Sequence, residues 1–213
     1  MLKLVLMITI VQRKKSEEII SYFAQNNVPM TFGRYGRGTA TDSMLHFLGI
    51  AEKEKCITFS ILSFDLANKI GHELSRKFQD SFSFVVPISS VGGKKLMEQV
   101  NQDYQNHVEA NENPVKFTEE LILAIINRGY VETVMQIARD AGAPGGTVIH
   151  ARGTGMGDAE KFFGVTVGAE KEMIFIVTER EKRDAIMKAV MKKAGADSPA
   201  GAILFSIPVR KID

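Results

Sequence analysis

The run RGTGMGDAEKFFG, residues 152–164, opens with a triplet that the chain has already used once, at Arg37-Gly38-Thr39. Sliding the sequence along itself by the same 115 positions extends the match in both directions, which is the signature of an internal repeat. Arg13 then meets Arg128, Glu17 meets Glu132, Pro29 meets Pro144, Phe47 meets Phe162 and Gly49 meets Gly164. The apolar run LMITIV falls on LILAII. Beyond Gly49 the register slips by three, so that Ala51-Glu52-Lys53-Glu54 meets Ala169-Glu170-Lys171-Glu172. Near the end of each half Val86-Pro87-Ile88 meets Ile207-Pro208-Val209. Several pairs in one order, with one small gap, describe a tandem duplication.

Each half is then read once and checked against its twin. In the second, the apolar run at 121–126, bounded by Arg128 and Gly129, suits a strand buried on both faces. Val131, Val134, Met135 and Ala138 recur at helical spacing, and Gly142 and Pro144 stop that helix. GGTVIHAR has the β-branched content of a second strand, and residues 173–178 form a third. Thr178-Glu179-Arg180-Glu181 has the pattern of a capping box, opening a helix with Ile186, Ala189, Val190 and Ala194 on one face and Gly195 at its end. A last strand covers 202–209. The first half gives strand 4–11, helix 16–25, strands 30–35 and 56–63, a helix with Leu66, Ile70, Leu74 and Phe78 on one face, and strand 82–88. The order is β-α-β-β-α-β twice. The expected fold class is therefore α+β, two tandem ferredoxin-like domains with helices on one face of a four-stranded sheet. Domain 1 spans 1–92, a polar linker of helical pattern spans 93–116 and breaks at Asn111-Glu112-Asn113-Pro114, and domain 2 spans 117–213.

Composition narrows the function. At 213 residues the chain has room for two domains of about 100 residues each. Basic residues exceed acidic ones by two, so there is no bulk electrostatic case for nucleic acid or an anionic membrane. The single cysteine, Cys56, lies inside CITFSIL, which rules out a disulfide framework and predicts a buried thiol in a reducing, cytoplasmic setting. No run of eighteen apolar residues occurs, so no membrane insertion is expected. The apolar N-terminal run lacks a small-residue cleavage site and meets Arg13, Lys14 and Lys15 at once, unlike a signal peptide. His46, His72, His107 and His150 are scattered, which argues against a metal site. No nucleophile or carboxylate stands at a diagnostic spacing from His150, so no catalytic residue is assigned.

The connection between the second and third strands of the second half is long for this pattern, 18 residues over 153–170, with glycines at 153, 155 and 157. Successive backbone N–H groups in such a turn form a nest for anions, with Arg152 as counter-charge. GTGMG is neither the GxGxxG of a dinucleotide fold nor a P-loop. TVIHARGTG resembles the second strand and T-loop entry of the PII signalling family, and VETVMQIARDAGAPGGTV is similar to that family's first helix and its connection. The resemblance covers residues 119–210 and, through the repeat, about 3–91.

The resemblance implies a non-catalytic sensor that assembles as a trimer, binds ATP or ADP, often senses 2-oxoglutarate, and docks its T-loop onto a membrane transporter or metabolic enzyme. Carried over residue by residue, it assigns nucleotide contacts to Arg152, Gly153, Thr154, Gly155, Gly157, Gly201 and Arg210. Phe162 and Phe163 are the candidate aromatic anchors for a partner. Ala202 stands where the family has a lysine, and the first half, with Ala40, Asp42 and the glycine-free KFQDSFSFVVP, is expected to be a degenerate copy. Ligand binding is thus expected of the second half alone. A homo-oligomer is expected because the uncovered faces of the sheets are apolar. Two alternatives stand beside this reading: a protein-docking module that binds no ligand, and a metal-binding trimer of the CutA type.

Overall fold

A computed structural model describes residues 4–28, 31–39, 54–78, 81–88, 98, 116–153, 160–162, 165–167 and 169–212. Two compact units emerge, and each takes in a segment from the other half of the sequence. Unit 1 contains residues 1–35, 54–119 and 208–213, and unit 2 contains 36–53 and 120–207. The linker expected over 93–116 lies outside the described residues except for Glu98 and Lys116.

In unit 1, β1 (Leu4–Gln12) passes through a 3-10 turn at Arg13–Lys15 into α1 (Ser16–Gln25). Glu17 and Glu18 occupy the first turn of α1, where the positive end of the helix dipole favours them. Asn27, at φ 55, ends the helix in the left-handed region that asparagine tolerates. There follow β2 (Thr31–Gly38), β3 (Glu54–Ser63), α2 (Phe64–Lys77) and β4 (Phe82–Pro87). Ser63 caps α2 by accepting the N–H of Leu66 at 3.2 Å. The strand order is β2-β3-β1-β4. β1 runs antiparallel to β3, with Val11 opposite Cys56, and to β4, with Ile8 opposite Phe84. The apolar faces of both helices close on β1, burying Ile19, Tyr22, Phe23, Leu66, Ile70, Leu74 and Phe78 together with Met7 and Val11. That core includes Ile212. The segment 208–213 joins the sheet with Arg210 opposite Val85, and Ile212 then settles over Gly71, where an added Cβ would meet it at 3.0 Å.

Cys56 is 2% exposed, and burial pushes its thiol above the usual range. Both effects suppress reaction, because the thiolate is the nucleophile. Native protein at pH 7.5, roughly one unit below the ordinary thiol value, is expected to resist Ellman's reagent for hours and to react with one equivalent within seconds in guanidinium. Stoichiometric labelling of the native chain would contradict the burial.

Unit 2 contains β5 (Glu119–Asn127), α3 (Val131–Asp140), β6 (Thr147–Gly153), β7 (Glu160–Phe162), β8 (Val165–Val167), β9 (Ala169–Glu179), α4 (Arg180–Ala194) and the first part of β10 (Ile203–Lys211). The order β6-β9-β5-β10 repeats that of the first half. Val131, Val134, Met135 and Ala138 on α3 and Ile186, Val190 and Ala194 on α4 are all buried, as their spacing predicts, against Ile122, Ala124 and Ile126 of β5.

Two local expectations change. The second strand of the first half runs past Tyr35 to Gly38, and its end pairs with β6, Arg37 opposite Val148 and Gly38 opposite Thr147. Thr39 then locks the contact: its N–H and hydroxyl both donate to Gly146 O, at 2.8 and 2.9 Å, and its Oγ1 accepts the Gly146 N–H at 2.8 Å. The capping box does not form. The cap residue is Glu179 without a side-chain bond, and Thr178 Oγ1 is buried with no hydrogen-bond partner. A buried carboxylate governs that end of the helix instead, because Glu120 accepts from Arg183 at 3.2 Å and pairs with Arg180 at 3.3 Å. Two arginines in a first turn oppose the helix dipole, and Glu120 offsets them. Among the described residues no helix is long and apolar enough to cross a membrane.

Candidate functional site

The long connection of the second half stands on a hairpin. β6 and β9 pair from Thr147 opposite Phe175 to Arg152 opposite Glu170 and Gly153 opposite Ala169. The strands therefore continue to the first glycine of the loop and fix where it begins. Within the connection, β7 and β8 form a small antiparallel ribbon with Glu160 opposite Val167 and Phe162 opposite Val165. Arg152, Gly153 and Phe162 thus lie on strands, while Thr154, Gly155, Gly157 and Phe163 are outside the described residues.

Under the hairpin, the end of β5 acts as a junction. Asn127 donates its side-chain N–H to Pro199 O at 2.9 Å, and its backbone N–H donates to Ala200 O at 2.9 Å. Its side-chain oxygen accepts from Lys171 Nζ of β9 at 2.6 Å. One residue thereby holds both the turn that follows α4 and the strand on which the loop stands. Next to it, Arg128 pairs with Glu170, and the Gly129 N–H donates to Glu172 at 2.9 Å. Glu172 is 4% exposed and lies 3.7 Å from Nδ1 of the exposed His150. The Arg128–Glu170 pair is more than half exposed on both sides and contributes little stability, so its role is to orient. The buried Glu172 bond matters more, since Gly129 has φ 95 and its N–H is fixed by a charged acceptor.

The turn at 195–202 is compact. Ser198 Oγ donates to Gly195 O at 2.8 Å, the Gly201 N–H donates to Ser198 O at 3.0 Å, and the Ala202 N–H donates to Ala194 O at 2.9 Å. Gly201 has φ 54, and a Cβ there would meet the Asn127 side chain at 3.1 Å, so glycine is required on two grounds. Ala202 is fully buried and offers no cation.

Gly201 and the Arg152 strand belong to unit 2, whereas Arg210 belongs to unit 1, where its guanidinium lies 5.4 Å over the Phe64 ring. The two RGT triplets also differ in use. Arg152-Gly153 lies opposite β9 at the loop, while Arg37-Gly38-Thr39 is a strand edge sealed onto β6, with Arg139 donating to Thr39 O at 3.0 Å. Asn127, Lys171 and Glu172 were not singled out as site residues from the sequence, although the repeat marks their surroundings: Arg13 pairs at 2.9 Å with Glu54, the position that meets Glu172, whereas Arg128 pairs with Glu170. Among the described residues no group of His, Cys, Asp and Glu is arranged to hold a metal ion.

Residues 119–213 match the family model described as Nitrogen regulatory protein P-II. No curated protein matches the chain. Among solved structures, Arabidopsis thaliana PII bound to citrate is similar at 17% identity over 44% of this chain and 76% of that one, with a TM-score of 0.34.

Proposed function

Since residues 119–213 form a PII-like domain, we propose that the chain is a signal-transduction protein that holds an adenine nucleotide, ATP or ADP, with its second half and controls a transporter or metabolic enzyme through the loop that Arg152 opens. The supporting observation is the Asn127 junction, which ties the Gly201 turn to Lys171 beneath the loop. A ligand that tightens the turn thereby biases the strand carrying the loop, and this is the physical requirement for a coupled site. Arg152, Gly153, Thr154, Gly155 and Gly157 supply the phosphate nest and counter-charge, and Gly201 closes the other side. Phe162 and Phe163 anchor the target protein.

The first half is a second copy of the same domain, a reading that the shared strand order supports. Large apolar side chains stay exposed in each unit, Phe32 at 54% and Tyr35 at 53%, Ile203 at 60% and Phe205 at 42%, and they support assembly into a cytoplasmic homo-oligomer, a trimer by analogy with the family. The protein has no catalytic role in this proposal. Calorimetric titration with ATP and ADP is expected to show saturable binding without turnover. Binding should weaken at least about tenfold, 1.4 kcal/mol, in Gly201→Val and in Arg152→Ala, and should survive Arg37→Ala. Absence of binding by the unaltered chain would sink the nucleotide assignment, and release of phosphate from ATP would replace the sensor with an enzyme.

A further inference from the structure

Six cross-strand pairs join β1 to β4 in unit 1, from Ile10 opposite Phe82 to Val5 opposite Pro87. On the face away from the helices the pairs are Ile10–Phe82, Ile8–Phe84 and Leu6–Val86, all apolar. On the helix-covered face Met7 meets Val85 and Val5 meets Pro87, and beside them Thr9 meets Ser83. That last pair differs in kind. Thr9 is 0% exposed and Ser83 5%, and the Ser83 hydroxyl donates to Thr9 Oγ1 at 3.1 Å. From this we infer that the Thr9–Ser83 hydrogen bond is the register key of unit 1, the contact that decides where β4 stops along β1 and so where the C-terminal segment docks.

A slip of one residue turns the two faces over, and the apolar pattern itself refuses it. A slip of two does not meet that obstacle, because every side chain keeps its face, the backbone ladder re-forms and one apolar pair replaces another. Only the hydroxyls object. Two residues one way Ser83 lies opposite Met7, two residues the other way opposite Val11, and neither offers an oxygen to accept its proton, so a buried hydroxyl is left unpaired. On the other side of β1 the Thr58 hydroxyl, opposite Thr9, donates to Thr9 O at 3.4 Å and continues the polar row. The repeat shows that the fold does not need hydroxyls at these places. Its offset of 115 grows to 118 by Ala51 and to 121 by Val86, so Thr9, Thr58 and Ser83 correspond to Ala124, Ile176 and Leu204. Ala124 and Ile176 are fully buried in the core of unit 2, and Leu204 packs against it. In unit 1, β4 has a second duty: Arg210 and Lys211 pair with its Val85 and Phe84, and Ile212 donates its N–H to Ser83 O at 3.1 Å. Ser83 therefore works in both directions, side chain to Thr9 and carbonyl to Ile212. A slip of two moves that carbonyl by roughly 7 Å, and Ile212 no longer falls over Gly71.

A cysteine walked along β1 tests the key. In a Cys56→Ala background carrying Val86→Cys, the second cysteine is Leu6→Cys for the native register and Leu4→Cys or Ile8→Cys for the two slips. Opposite residues lie close enough for a disulfide, and diagonal ones, about 7–8 Å apart, do not. The full chain is refolded from urea in the reduced state and only then oxidised with glutathione disulfide. With the hydroxyl pair intact, the opposite pair is expected to close and both diagonal pairs to remain thiols. Thr9→Val/Ser83→Ala removes both hydroxyls and keeps the shape, so it should raise the diagonal disulfides at least about tenfold and leave the urea midpoint near the parent's. Thr9→Val alone strands the Ser83 hydroxyl and should lower the midpoint more than the double substitution does. Relocating the acceptor with Met7→Thr/Thr9→Val should favour the register read by Leu4→Cys over the one read by Ile8→Cys. Diagonal disulfides that stay absent from the double and the relocated variants, or form equally in the parent, overturn the inference. So does a double variant whose midpoint falls by the sum of the two single effects or more, since hydroxyls that act separately fix no register.

Discussion

Truncating Ile212 to alanine is expected to cost unit 1 about 3 kcal/mol, within the range for large-to-small changes in a core. Ile212 is 6% exposed and packs with the helices and β1, and its N–H donates to Ser83 O at 3.1 Å. The seat is made by Gly71, a helical glycine whose absent side chain leaves the space that Ile212 fills. The two positions should therefore couple. Gly71→Ala alone gains up to about 1 kcal/mol of helix propensity but loses it by crowding Ile212. In the Ile212→Ala background the crowding is relieved and the gain should appear. Urea unfolding of the four variants measures the coupling, and amide exchange at residue 212 reports whether the segment undocks before the rest unfolds. Additive effects would mean that the seat does not discriminate.

Replacing Thr39 with valine should cost about 2 to 3 kcal/mol, because the shape is kept while a hydrogen bond is removed and the Gly146 N–H loses its acceptor. Thr39 is 2% exposed, so water cannot easily substitute. The neighbouring Arg37–Glu132 pair, 4.0 Å apart and half exposed on both sides, is the control: Arg37→Ala should shift stability by less than about 0.5 kcal/mol. Thermal unfolding of the two single variants decides it, and equal midpoints would remove Thr39 from the account.

Local pattern reached the elements and stopped at the pairings between them. α1 occupies residues 16–25 as expected, and the spaced apolar residues of α2 and α3 are buried, because a 3.6-residue period reports directly which face meets a core. The order of the main helices and strands along each half was likewise legible, and TVIHARGTG and VETVMQIARDAGAPGGTV led to the family whose model residues 119–213 match. What the repeat concealed is that equivalent residues do different work. Arg37-Gly38-Thr39 looks like a second loop entry and is used as a strand edge, since its partner at Gly146 lies 107 positions away and leaves no periodic trace. The capping box at Thr178 had the right letters, but a buried acid on another strand, Glu120, holds the helix start.

The membership of the two units also sets a timetable. Unit 2 includes residues 36–53, made early, and unit 1 includes 208–213, made roughly 120 residues after β4. At about 5 to 20 residues per second a ribosome needs on the order of ten seconds to cover that distance. For that interval the β4 edge and the seat at Gly71 await their partner, so the first half emerges as an unfinished sheet. Units that followed one another along a chain would let one mature while the next is made. Here each unit takes in a segment from the other half of the sequence, and a stall in synthesis between the halves should leave a chain that chaperones hold rather than a domain that works alone.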